Sequence, residues 1–168
     1  MVELALFDQS HLAAFAALLD DPDVVRFTRL PVSPPPDYAE TWFAAYEAGR
    51  RDGTREAFAI VDGDTREFVG IGVAPKIDPE ARTLELGYIV APAWRGRGIA
   101  TQALGLLTSW GFEEAGALRS ELYISLANEG SKIVAARCGY VREGILRSAY
   151  FKDGAREDTE VWSRLPSD

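Results

Sequence analysis

Leu84-Glu85-Leu86-Gly87-Tyr88-Ile89-Val90-Ala91-Pro92-Ala93-Trp94-Arg95-Gly96-Arg97-Gly98-Ile99-Ala100-Thr101 is the most informative stretch of the chain. A strand ending at Val90 runs into a loop holding two glycines and two arginines. A helix opens at Gly98, with Ala100, Ala103, Leu104, Leu107 and Trp110 spaced to pack on a sheet. Glycines let backbone N–H groups crowd a ligand, and a helix start carries roughly half a positive charge. Together they make an anion site, usually for phosphate. Two other phosphate signatures fail here: a dinucleotide fingerprint needs Gly or Ala where Thr101 stands, and a Walker loop needs Gly-Lys-Ser/Thr. Taken alone, the fragment is also compatible with a basic surface turn that binds nothing.

Upstream, Val2–Phe7 reads as a strand, and Asp8 and Ser10 offer N-cap oxygens for a helix through Leu12, Phe15, Leu18 and Leu19. Five prolines between Asp20 and Pro36 predict a shaped loop. A second helix is expected from about Asp37 to Arg51. The period then changes to two: Ala57–Val61, a tight turn at Asp62-Gly63-Asp64, Phe68–Val73 and Thr83–Val90 predict an antiparallel meander. After the helix from Gly98 to about Glu114 come a strand near 120–125, a helix near 129–137, and strands near 140–151 and 157–164. No linker divides residues 1–168, so a single α/β domain is expected, with a mixed, mostly antiparallel sheet and helices on both faces.

Composition narrows the chemistry. The 168 residues carry 18 Lys and Arg against 26 Asp and Glu, a net charge of −8, which argues against nucleic acid as the main ligand. No apolar run approaches the roughly 20 residues of a bilayer span, and the N-terminus lacks the basic start and apolar core of a signal peptide, so a cytoplasmic protein is expected. One cysteine, Cys138, and one histidine, His11, leave no disulfide framework, no multi-histidine or cysteine-rich metal site, and no plausible histidine-based triad.

Arg95-x-x-Gly98-x-Ala100, with Val90 five residues earlier, resembles the acyl-coenzyme A pyrophosphate loop of the GNAT N-acetyltransferases. Asn128-x-x-Ser131 followed by Gly139-Tyr140 looks like the next segment of that family. With Glu85-Leu86-Gly87-Tyr88 and Glu143-Gly144-Ile145-Leu146-Arg147, it is similar to the RimJ/RimL-type branch, which acetylates protein N-termini. The likeness covers the chain from about Ala57 onward, and the element order fits the rest.

The resemblance implies a V-shaped split in the sheet that holds acetyl-CoA as co-substrate. It implies that the backbone of Ile89 and Val90 pairs with the pantetheine arm. The pyrophosphate would rest on the N–H groups of Arg95, Gly96, Arg97, Gly98, Ile99, Ala100 and Thr101, with both arginines adding positive charge. The implied reaction is direct attack of an amine on the thioester, without a metal. Glu85, alternating against Leu84 and Leu86, is the candidate base; a solvent-facing strand residue is the alternative. Asn128 would bind the pantetheine or a bridging water, and Ser131 would meet the departing thiolate or position water; a helix N-cap explains both without a cofactor. Many family members carry a tyrosine seven residues after the asparagine, where this chain has Ala135. The implied acceptor is a peptide N-terminal amine. A small amine such as an antibiotic, polyamine or amino acid is the alternative, and a non-catalytic acyl-CoA sensor the second. Many relatives resemble dimers built through C-terminal strands, so a homodimer is admitted.

Among the other residues, Cys138 and the aromatics Trp42, Phe43 and Tyr46 read as core, while Arg26–Arg29 read as part of the acceptor end without individual roles.

Overall fold

A computed structural model describes residues 1–168. The elements run β1 (Val2–Leu6), a 3-10 turn (Gln9–His11), α1 (Leu12–Leu18), α2 (Pro22–Phe27), α3 (Tyr38–Asp52), β2 (Glu56–Asp62), β3 (Phe68–Asp78) and β4 (Thr83–Val90). A second 3-10 turn (Pro92–Trp94) leads to α4 (Ile99–Glu113), β5 (Arg119–Ser125), α5 (Glu129–Arg137), β6 (Val141–Lys152) and β7 (Ala155–Arg164). The seven strands form one sheet in the order β1-β2-β3-β4-β5-β7-β6, in which only β4 and β5 run parallel.

Strand alternation sorts the side chains to two faces. Ala57, Ala59 and Val61 join Phe7, Ile71 and Ile89 beneath α1 and α3, where Trp42 stacks on Tyr46 at 4.1 Å and meets Phe15 in a tilted pair at 4.4 Å. On the other face Phe58 meets Trp110 of α4, and Leu84 and Leu86 of β4 join Leu122 and Ile124 of β5 beneath Leu104 and Leu107. Helices therefore cover both faces, and α4 packs against strands on either side of the β4–β5 junction.

Three local expectations change. The proline-rich segment contains a helix, α2, because Asp21 accepts hydrogen bonds from the N–H groups of Asp23 and Val24 while Pro22 fills the first helical position. Strand β3 runs five residues beyond Val73, absorbing Pro75 at a register shift where a missing N–H costs no ladder bond. The β2–β3 link is longer than a tight turn: Asp62 Oδ1 accepts from the N–H groups of Asp64 and Thr65, and Arg66 takes φ 63°.

Candidate active site

The parallel ladder between β4 and β5 lasts three rungs, Thr83–Glu85 against Arg119–Glu121. Beyond them β4 continues to Val90 along β3, while β5 continues to Ser125 along β7. The two strands diverge, and a cleft of about 840 Å³ opens between them. It runs from the start of α4, past Tyr88 and Ser131, to an end walled by α2 and α3.

At the α4 end, Gly96 and Gly98 take φ 74° and 75°, and no atom lies within 4 Å of where either would carry a Cβ. These left-handed conformations favour glycine and turn successive N–H groups toward one side. The amides of Gly96, Arg97, Gly98, Ile99, Ala100 and Thr101 find no acceptor in the protein, the first intrahelical bond being Gln102 N–H to Gly98 O. Six open donors at the start of a 15-residue helix fit a diphosphate.

The two arginines of the loop differ. Arg97 has no carboxylate partner and lies over the Trp94 ring at 5.1 Å. Arg95 turns inward instead: Nη2 is 3.0 Å from Asp21, Nη1 is 3.5 Å from Asp23, and Nε donates to the Val90 carbonyl at 3.1 Å. Its charge is spent within the protein, contrary to the expectation that both arginines face an anion. Arg137, at the end of α5, is a further unpaired cation on the cleft wall.

Backbone direction also departs from expectation. Ala91 N–H donates to Val69 O, and the Ile89 carbonyl crowds Gly70, so these groups face β3. Because successive residues turn their backbone groups to opposite edges, Tyr88 and Val90 face the cleft. With the Val90 carbonyl held by Arg95, the Val90 N–H and both main-chain groups of Tyr88 are open there; Ile89 instead contributes its side chain to the core.

Glu85 stands on the last rung, on the face opposite Leu84 and Leu86, with its side chain 14% exposed. Burial pushes its carboxyl above the usual carboxylate range, and Arg29 pulls it back. Arg29 Nη2 lies 3.0 Å from Oε1, and Nη1 donates to Oε2 at 3.4 Å. Thr28, just before it, is held by β6: its carbonyl accepts from Tyr150 Oη at 2.8 Å and Lys152 Nζ at 2.9 Å. Phe15, Phe27, Trp42 and Tyr46 complete an aromatic wall at this end, with Arg26 beside them.

Asn128 caps α5, its Oδ1 accepting from Ser131 N–H at 3.0 Å, so the capping alternative is realised. Its side-chain NH₂ group has no protein partner, and both residues line the cleft. Ser131 Oγ lies 2.9 Å from Tyr88 Oη. Cys138 is half-buried near Thr101 O and off the cleft lining, in keeping with a core role.

Sequence reasoning gave no role to Arg29, Tyr88 or Arg137. Arg29 and Glu85 are 56 residues apart, and no local pattern connects them. For Tyr88, the partner of its hydroxyl lies 43 residues further on, beyond the reach of any local pattern.

Residues 2–141 match the family described as an acetyltransferase (GNAT) domain. The chain is 26% identical over 156 residues to an uncharacterized N-acetyltransferase, YoaA, of Bacillus subtilis, covering 93% of this chain and 88% of that one. It is 32% identical over 114 residues to a ribosomal-protein-serine acetyltransferase of Escherichia coli, covering 67% of this chain and 62% of that protein. A solved structure of RimL, a ribosomal L7/L12 α-N-protein acetyltransferase in complex with coenzyme A, superposes with a TM-score of 0.88 at 20% identity, covering 98% of this chain and 93% of that one. No helix of the chain is long and apolar enough to cross a membrane.

Proposed function

This chain belongs to the GNAT acetyltransferase family and is an acetyl-CoA-dependent N-acetyltransferase, and on that premise we propose that its acceptor is the N-terminal amine of a protein or peptide. The observation that carries the reading is the position of Glu85, a buried carboxylate paired with Arg29 on the last rung before the cleft, between the amide cradle of α4 and the aromatic wall of α1–α3. The wall suits the side chain of a first residue. Arg26 and Arg29 beside it oppose a polycationic amine. The activities of the Escherichia coli relative and of RimL, both toward ribosomal proteins, support the same class and the RimJ/RimL-type branch.

When bound, acetyl-CoA supplies an acetyl group already activated as a thioester. The α4 amides from Gly96 to Thr101 hold its diphosphate, with Arg97 and Arg137 adding charge, and Tyr88 offers main-chain pairing to its amide arm. Glu85 takes the proton of the acceptor ammonium through a bridging water, and burial adapts it to that task by making it a stronger base. Asn128 presents its free NH₂ group, and Ser131 its hydroxyl, to the thioester end. Such an enzyme belongs in the cytoplasm, and a homodimer along β6, whose outer edge is unpaired, is part of the same reading.

The test is release of free thiol from acetyl-CoA across peptide N-termini, polyamines and aminoglycosides. Turnover with peptides is the expected result. Turnover with small amines alone overturns the acceptor class, and coenzyme A binding without turnover on any acceptor leaves a sensor.

A further inference from the structure

Ser131 and Tyr88 have no hydrogen-bond partner for their hydroxyls other than each other. Two hydroxyl groups sharing one hydrogen bond leave one proton free, and its owner depends on which group donates. A phenol is the stronger acid and an alkyl hydroxyl oxygen the better acceptor, so the favoured direction is Tyr88 O–H to Ser131 Oγ. Burial pushes the Tyr88 phenol up to about 12, so its proton stays in place across the working range of pH. Ser131 is fixed from its other side, where its N–H is held by Asn128 Oδ1. One turn further along α5, Ala135 is fully buried and carries no polar side-chain atom, so that helix face offers no second donor.

We propose that Tyr88 is a positioning residue for acetyl transfer, which by donating to Ser131 Oγ turns the serine proton into the cleft as the donor that meets the departing sulfur. The inference rests on the acetyl-transfer reading above. The acceptor ammonium first gives one proton to Glu85. Its neutral nitrogen then forms the bond to the acetyl carbon, and the carbon–sulfur bond breaks with its electron pair kept on sulfur. The second proton that the nitrogen sheds on becoming an amide passes through water to solvent. The Ser131 O–H answers that charge by a hydrogen bond; no proton leaves Tyr88, and the thiolate is protonated afterwards from solvent. Donation from the phenol polarises the serine O–H, which makes it a stronger donor than a lone serine. Serine thus serves without having to act as an acid in its own right.

The experiment uses coenzyme A itself and the Tyr88→Phe and Ser131→Ala variants, with thiolate absorbance of bound coenzyme A followed against pH. The wild-type protein is expected to hold the bound thiol below its value in free coenzyme A, and each variant to return it toward that value. In turnover, Tyr88→Phe should lower kcat about 10-fold or more while KM for acetyl-CoA stays within about 2-fold, because the lost interaction forms only as charge develops. The double variant should be no worse than Ser131→Ala. An unchanged thiol titration in Tyr88→Phe, or additive losses in the double variant, overturns the proposal even where acetyl transfer itself is intact. Equal melting temperatures of wild type and Tyr88→Phe confirm that folding is not what is being read, and a fall confined to the melting temperature and total activity, with the titration unmoved, also overturns it. Failure of the acetyl-transfer reading appears differently, as coenzyme A binding with no turnover in the wild type.

Discussion

Arg29 and Glu85 meet across the acceptor end of the cleft, Nη2 to Oε1 at 3.0 Å, although the arginine belongs to the segment after α2 and the glutamate to the sheet. Arg29 is 58% exposed, so the pair adds little to stability and its consequence lies in basicity. Burial raises the Glu85 pKa and Arg29 lowers it. A base works deprotonated, so Arg29→Ala should move the acid limb of the kcat/KM profile to higher pH. Glu85→Gln should abolish that limb and lower the neutral-pH rate by about 10²-fold or more, with coenzyme A affinity nearly intact. A limb that stays put in both variants removes Glu85 as base.

Arg95 divides its guanidinium between two carboxylates and a carbonyl, and Asp21 is the more buried of its acidic partners. Asn caps a helix as well as Asp does, so Asp21→Asn keeps α2 while releasing the arginine's charge beside the amide cradle. Coenzyme A should bind about 3- to 5-fold tighter to this variant at low ionic strength, and the gain should shrink with added salt. Titration calorimetry at two salt concentrations measures it. Arg95→Ala should bind more weakly than wild type, since the Val90 carbonyl and Asp21 lose their common partner.

Gly98 combines φ 75° with open space around its missing side chain. Gly98→Ala therefore carries no clash, only the left-handed cost of about 1–2 kcal/mol. Chemical denaturation should show that loss, and Gly98→Asn should recover part of it, because asparagine tolerates this conformation better.

Tyr140 lies buried where α4 and β5 meet. Thr108 Oγ1 donates to Leu104 O, so it accepts from Tyr140 Oη at 2.8 Å, and Ser120 Oγ then donates to Tyr140 Oη at 2.6 Å. Tyr140→Phe leaves two buried hydroxyls short of a partner and should cost about 1–3 kcal/mol in denaturant unfolding. Coenzyme A affinity should not change.

The stretch from Leu84 to Thr101 was legible because its information is local: alternation, then glycines, then helical spacing. The element order followed for the same reason. Helix α2 was hidden by the prolines downstream of it, although Asp21-Pro22 is itself a helix-start signal. Pro75 hid the second half of β3 in the same way. What no local pattern carried was the site's wiring. Arg95 read as a free cation because its partners, Asp21 and Asp23, are more than seventy positions away, and Tyr88 had no role of its own because the partner of its hydroxyl sits on α5.

Three rungs of backbone pairing join the two arms of the sheet, and α4 lies across both. So short a seam sets little of the angle between the arms; Leu104 and Leu107, wedged between Leu84 and Leu86 on one arm and Leu122 and Ile124 on the other, supply the rest by their bulk. The aperture of the active site is thus a matter of hydrocarbon volume on its far side. A methylene removed from Leu104 or Leu107, neither of which lines the cleft, would retune the gap between donor and acceptor from behind.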